Sequence, residues 1–116
     1  MYSSLPTKKV VAVDFDGTIT KKDNRVWINN VPTNDVMEPN QFVIKKLKEK
    51  QQKYYYILWT CRTGKSLERA VKFCQQQGII LQAVNANLYP YPTSNKILAD
   101  YYLDDKGGLM ECLNKL

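Results

Sequence analysis

Four aspartates stand out for what they could do together: Asp14 and Asp16, one residue apart, and the adjacent pair Asp104 and Asp105 near the other end of the chain. Carboxylates can attack an electrophile, pass a proton or hold an oxygen-loving cation. The weight falls on them because the 116-residue sequence has no histidine. That absence excludes Ser-His-Asp and Cys-His nucleophilic sites and His-ligated zinc. Chemistry here must run on carboxylates, hydroxyls, thiols, lysine or arginine. Cys61, Cys74 and Cys112 are odd in number and widely spaced, a pattern of reduced thiols rather than of a disulfide framework or a Cys-x-x-Cys metal site. The formal charge of +6 attracts phosphate-bearing partners, whether nucleic acid, nucleotide or sugar phosphate, over a Debye length.

These residues need elements to hold them. Lys9 to Val13, a β-branched run ending at Asp14-Phe15-Asp16-Gly17, predicts a buried strand that stops in a turn. Residues 19–38 mix Asn, Lys and Pro with isolated apolar side chains such as Val26, Trp27 and Ile28, and predict a loop or small hairpin without a core. From Asn40 to Lys53, Val43, Ile44 and Leu47 share one face of an amphipathic helix. Tyr54 to Trp59 reads as a second strand ending at Thr60. Lys65 to Gln77 reads as a helix with Leu67, Ala70, Val71 and Cys74 on one side and Gly78 as its stop. Ile79 to Val84 and Ala99 to Leu103 predict the third and fourth strands, separated by a loop running to Thr93, and Leu109 to Leu116 a last helix. The tyrosines at 54–56, 89, 91, 101 and 102 read as core and loop packing, with base stacking as the alternative use.

Alternating strands and helices predict a parallel sheet with right-handed crossovers, whose ligands bind beyond the carboxyl ends of the strands. Every polar candidate falls there. Asp14 and Asp16 follow strand one, Thr60 and Arg62 strand two, and Asp104 and Asp105 strand four. The composition, 44% hydrophobic and 24% charged, suits one domain over residues 1–116. No run is long and apolar enough for a membrane helix, and MYSSLPTKK has no signal-peptide centre, so a cytoplasmic protein without membrane contact is expected.

The motifs DFDGT (Asp14 to Thr18), WTCR (Trp59 to Arg62), Lys96 and LDD (Leu103 to Asp105) resemble, in that order, the four motifs of the haloacid dehalogenase superfamily. The resemblance spans nearly the whole chain. It implies a three-layer, Rossmann-like α/β fold with sheet order 3-2-1-4, and no large cap, since 19–38 leaves room for a flap only. It implies a phosphatase with Mg²⁺ as cofactor. Asp14 would be the nucleophile, forming an aspartyl phosphate, and Asp16 the acid and base. The metal would be held by the Asp14 carboxylate, the Asp16 carbonyl and Asp105, with Asp104 in support. Thr60, amides around Cys61, Arg62 and Lys96 would bind the phosphoryl group, with Lys65 as a further contact and Lys96 also paired with Asp14. The spacing and the LDD ending also resemble the phosphatase domain of bacteriophage polynucleotide kinase. The expected partner is a phosphorylated substrate, either a small metabolite or a nucleic-acid end.

Other readings of the same residues fit less well. An EF-hand loop starting at Asp14 needs Gly at its sixth position and an acid at its twelfth, where Ile19 and Arg25 stand. TGKS (Thr63 to Ser66) could be half of a P-loop in a nucleotide-binding kinase, but the first required glycine falls on Trp59. A Cys-x5-Arg phosphatase cradle at Cys61 would need Arg at Leu67. The rival from another class is a non-catalytic, basic nucleic-acid-binding module on the same fold.

Overall fold

β-Branched and small apolar side chains let Lys9–Val13 (β1) run through the interior, where all but Lys9 are buried. In the computed structural model, which describes residues 8–23, 25–92, 96–106 and 108–116, the elements follow in chain order. After β1 come β2 (Val26–Ile28), β3 (Val31–Thr33), α1 (Gln41–Lys50), β4 (Tyr54–Leu58), α2 (Gly64–Gln76), β5 (Ala83–Val84), β6 (Tyr101–Leu103) and α3 (Leu109–Lys115). Four strands form a parallel sheet in the order β5-β4-β1-β6, and β2 and β3 form a separate antiparallel hairpin. The end of the loop expected to reach Thr93 lies outside the described residues. No helix among the described residues is long and apolar enough to cross a membrane.

The two faces of the sheet are covered differently. Val11 and Val13 face one way, into a core built with Val43, Ile44 and Leu47 of α1, Ala70, Phe73 and Cys74 of α2, and Leu113 near the C-terminus. Val10, Ala12 and Ile57 face the other way and meet Ile97, with Tyr55, Ala83, Leu88 and Ala99 packed beside them. Among the described residues all three helices therefore lie over one face, and the described parts of the segment between β5 and β6, 85–92 and 96–100, meet the other without a helix. The expected three-layer arrangement is corrected to helices, sheet and a loop cover. Pro90 and Pro92 in that segment remove amide donors that a helix would need.

The outer strands are also shorter than expected, for one physical reason. Gln82 accepts from the Tyr56 amide through its side-chain Oε1 at 2.6 Å, and Asp100 accepts from the Val10 amide through Oδ2 at 2.7 Å. At each edge a side chain takes the place of a ladder carbonyl, so regular pairing starts later. Gly78, at φ +82°, turns the chain out of α2 as expected, and Ile79 N–H closes the cap on Cys74 O at 3.0 Å.

Candidate active site

Register puts the candidate residues in a row. Val13 is paired with Leu58 on one side and Leu103 on the other, and Leu58 with Val84, so the first residues past the strand ends are Asp14, Trp59, Asp104 and Asn85. Backbone bonds carry the ladder one step beyond: Asp14 N–H to Leu103 O at 2.9 Å, Trp59 N–H to Val13 O at 2.8 Å and Asn85 N–H to Leu58 O at 2.8 Å. A parallel sheet points all its strand ends the same way, so residues ninety positions apart in sequence converge by pairing alone.

Over this edge lies an open cavity of about 240 Å³ lined by Asp14, Trp59, Thr60, Cys61, Asp104, Asp105 and Lys106. Five of the eight residues expected in the site, Asp14, Thr60, Cys61, Asp104 and Asp105, are brought together there. Asp14 Oδ1 accepts from the Phe15 amide at 2.8 Å, which fixes the carboxylate and leaves Oδ2 as its available oxygen. Burial pushes the Asp14 carboxyl up to about 6 against the Phe15 hydrogen bond, and Asp105, Asp16 and Asp104 add like charge.

The turn Phe15–Ile19 must bring Asp105 close. Gly17 sits at φ +82°, and a Cβ built on it would lie 2.6 Å from Asp105 Oδ2. Only glycine serves both needs. Thr60 is held by its own backbone: its N–H donates to Asn85 Oδ1 at 2.9 Å, and its hydroxyl accepts from the Arg62 amide at 3.2 Å. Asn85 itself has a left-handed φ of +49°.

Asp16 and Arg62 are placed elsewhere. Arg62 is 3% exposed, and its guanidinium grips two carboxylates at once. Nε and Nη2 donate to Asp16 at 2.9 and 2.7 Å, while Nη1 and Nη2 donate to Asp35 at 2.8 and 2.9 Å. Nη1 also donates to Ser66 Oγ at 3.0 Å. All its donors are engaged, so Arg62, expected on the phosphoryl group, instead ties the end of β1 to the segment after β3. Arg25 adds a bond to Asp16 Oδ2 at 3.2 Å while gripping Asp23, and Arg69 bonds Asp35 from α2. Arg62 holds the Asp35 carboxyl below the usual range.

No family model and no curated protein sequence matches the chain. Among solved structures, a conserved protein from Bacteroides thetaiotaomicron is similar to it, with 29% identity and a TM-score of 0.66 over 87% of this chain and 78% of that one.

Lys96 lines a neighbouring cavity with Trp59, Ile97 and Tyr102. TGKS opens α2, with Gly64 at φ +54° and Lys65 exposed. Sequence reasoning missed Asp35, Arg25 and Asn85. Asp35 and Arg25 lie in a stretch with no periodic pattern, and an Asn after a short strand carries no signal of its own. Trp59 was assigned to the buried strand, yet β4 ends at Leu58 and leaves it 37% exposed at the edge of the cavity.

Proposed function

We propose that this chain is a magnesium-dependent phosphomonoester hydrolase of the haloacid dehalogenase type, working through an aspartyl phosphate on Asp14. The observation that carries this reading is the meeting of Asp14, Asp104 and Asp105 in one open cavity beside Thr60 and the Cys61 backbone. The sheet order β5-β4-β1-β6, which is 3-2-1-4 when the four parallel strands are counted along the chain, supports it. So does the small β2–β3 hairpin where a cap would otherwise stand.

The donor chemistry suits Mg²⁺. Among the described residues no three Asp, Glu, Cys or His side chains form a compact ligand cluster. Magnesium does not require one, since it commonly takes one or two carboxylates and fills its octahedron with water and substrate phosphate. Asp14 and Asp105, with the Asp16 carbonyl, would hold it. Bound there, it would offset the acids crowded at Asp14 and polarise the phosphoryl oxygens.

In the first step Asp14 Oδ2 bonds to phosphorus as the ester P–O bond breaks, and the leaving oxygen takes a proton from Asp16. In the second, water attacks phosphorus, gives its proton to Asp16 and releases inorganic phosphate as the bond to Asp14 breaks. Thr60 and the amides near Cys61 would donate to the phosphoryl oxygens, and Lys96 would add positive charge. For Asp16 to serve, its carboxylate must turn out of the Arg62 fork toward the cavity, a movement that Arg25 couples to the hairpin.

The test is turnover of p-nitrophenyl phosphate with and without Mg²⁺. The expected result is metal-dependent hydrolysis that falls at least roughly 10³-fold in Asp14→Asn, as loss of a nucleophile demands. Full activity in that variant overturns the reading. Salt-sensitive nucleic-acid binding in a chain with no turnover, unchanged in Asp14→Asn, would support the basic binding module instead.

A further inference from the structure

Beside the acid cavity lies a second one, of about 340 Å³, lined by Trp59, Lys96, Ile97 and Tyr102. The two share Trp59, so its indole borders both. Trp59 and Tyr102 meet edge to face, 5.8 Å between centroids and 70° between planes. They remain 37% and 40% exposed. Among the described residues, each is the other's ring contact. An edge-to-face pair leaves ring surface bare, and bare indole beside a reaction site is costly unless something covers it.

The platform is also preformed. Tyr102 Oη donates to Ile97 O at 2.6 Å and accepts from Ala99 N–H at 3.2 Å, so the phenol is pinned to the chain that makes the cavity floor. Its hydroxyl is consumed in this, and the ring is what remains to offer. Lys96 also lines this cavity. A planar ring lying on these faces covers more π surface than an alkyl chain does.

We infer that this second cavity is the leaving-group subsite, and that it takes a planar aromatic ring, an aryl group or a nucleobase, attached to the phosphate held at Asp14. The inference rests on the phosphatase reading for its kinetics but not for its binding. Stacking on aromatic side chains is worth roughly 10-fold in affinity per ring, and the same is expected in selectivity.

The experiment compares kcat/KM for 1-naphthyl phosphate and glycerol 3-phosphate, with Mg²⁺, in wild type, Trp59→Leu, Tyr102→Leu and Tyr102→Phe. The naphthyl-to-glycerol ratio should fall about 10-fold in each Leu variant and hold within about two-fold in Tyr102→Phe, which keeps the ring. A ratio that does not change in the Leu variants overturns the proposal. So does an equal fall in Tyr102→Phe, because the effect would then belong to the hydroxyl clamp. Calorimetric titration of 1-naphthyl phosphate into Asp14→Asn, alone and with Tyr102→Leu, reads the subsite without turnover. If no ester is hydrolysed but Tyr102→Leu weakens that binding about 10-fold, the phosphatase reading fails and the subsite stands. Equal binding in both refutes the subsite.

Discussion

Two aspartates differ in fate: Asp14 at the cavity and Asp35 in the segment after β3 are held in opposite ways. At the cavity, Asp14 is half-buried among Asp105, Asp16 and Asp104, and burial with like charge drives its carboxyl up to about 6. Behind it, Asp35 is gripped by Arg62 and Arg69, and its carboxyl is held low. The second arrangement is a closed structural knot. In the first, burial and like charge oppose ionisation of Asp14, a condition that a bound cation would ease. One residue type thus serves as fastener in one place and, in the proposed function, as reagent in the other, and burial and the neighbouring charges set the difference.

Breaking the knot should cost most. Arg62→Met leaves Asp16 and Asp35 facing each other with their main donor gone, and should destabilise the fold by about 3–5 kcal/mol in denaturant titration at pH 7. Arg62→Lys should recover only part of this, because a point charge cannot reproduce a fork that spans two carboxylates. A loss below about 1 kcal/mol would mean that the guanidinium is not what joins β1 to the segment after β3.

Asp35→Asn should cost about 2 kcal/mol at neutral pH, the worth of charged hydrogen bonds to the buried Arg62 guanidinium. Asp35 has a depressed carboxyl in the fold, so its contribution is complete above the unfolded carboxylate range and fades as pH falls through the lowered value. Wild type and variant should therefore converge in acid. A gap that is independent of pH points to packing instead.

Gly17→Ala sharpens the other side of the comparison, since a methyl group would have to displace Asp105 and tolerate a left-handed backbone. The expected loss is about 1–2 kcal/mol, and Asp105→Ala in the same chain should return part of it. Strictly additive effects in that double-mutant cycle would mean that the two residues do not touch.

The smallest effect has the opposite sign. Because the Asp14 carboxyl is raised in the fold, its ionisation costs stability as pH climbs from about 4 to about 6, and the cost stays constant above that. Asp14→Asn keeps an oxygen for the Phe15 amide but carries no charge. It should stabilise the metal-free protein by on the order of 1 kcal/mol at pH 7 to 8, solvent screening allowed for, and by nothing near pH 4. Mg²⁺ should raise the thermal midpoint of wild type and not of this variant. Destabilisation of Asp14→Asn at pH 8 would show that burial and like charge do not oppose ionisation of Asp14.

Most of the acid cavity could be read from the chain, because each component follows an apolar run that had to be a strand. Asp14 after KVVAV and Asp104 after YYL are examples, and the parallel register does the rest. The arginine knot could not. Arg62 looked like a phosphate ligand because it stands two residues beyond Thr60 at a strand end. Its partners are Asp16 and Asp35, and Asp35 sits in a polar stretch with no periodicity to say where it would fold. Trp59 was hidden for a related reason: an indole at the end of an aromatic run looks like core until β4 is seen to stop at Leu58.

What the sequence by itself determined is which residues are apolar, where each strand stops and what polar group comes next, since burial and backbone pairing are dictated locally by side-chain type. Tertiary structure alone decided which charges meet, which face of the sheet goes without a helix and which aromatics stay bare. Those outcomes depend on distances between segments remote along the chain, and no single stretch of it encodes them.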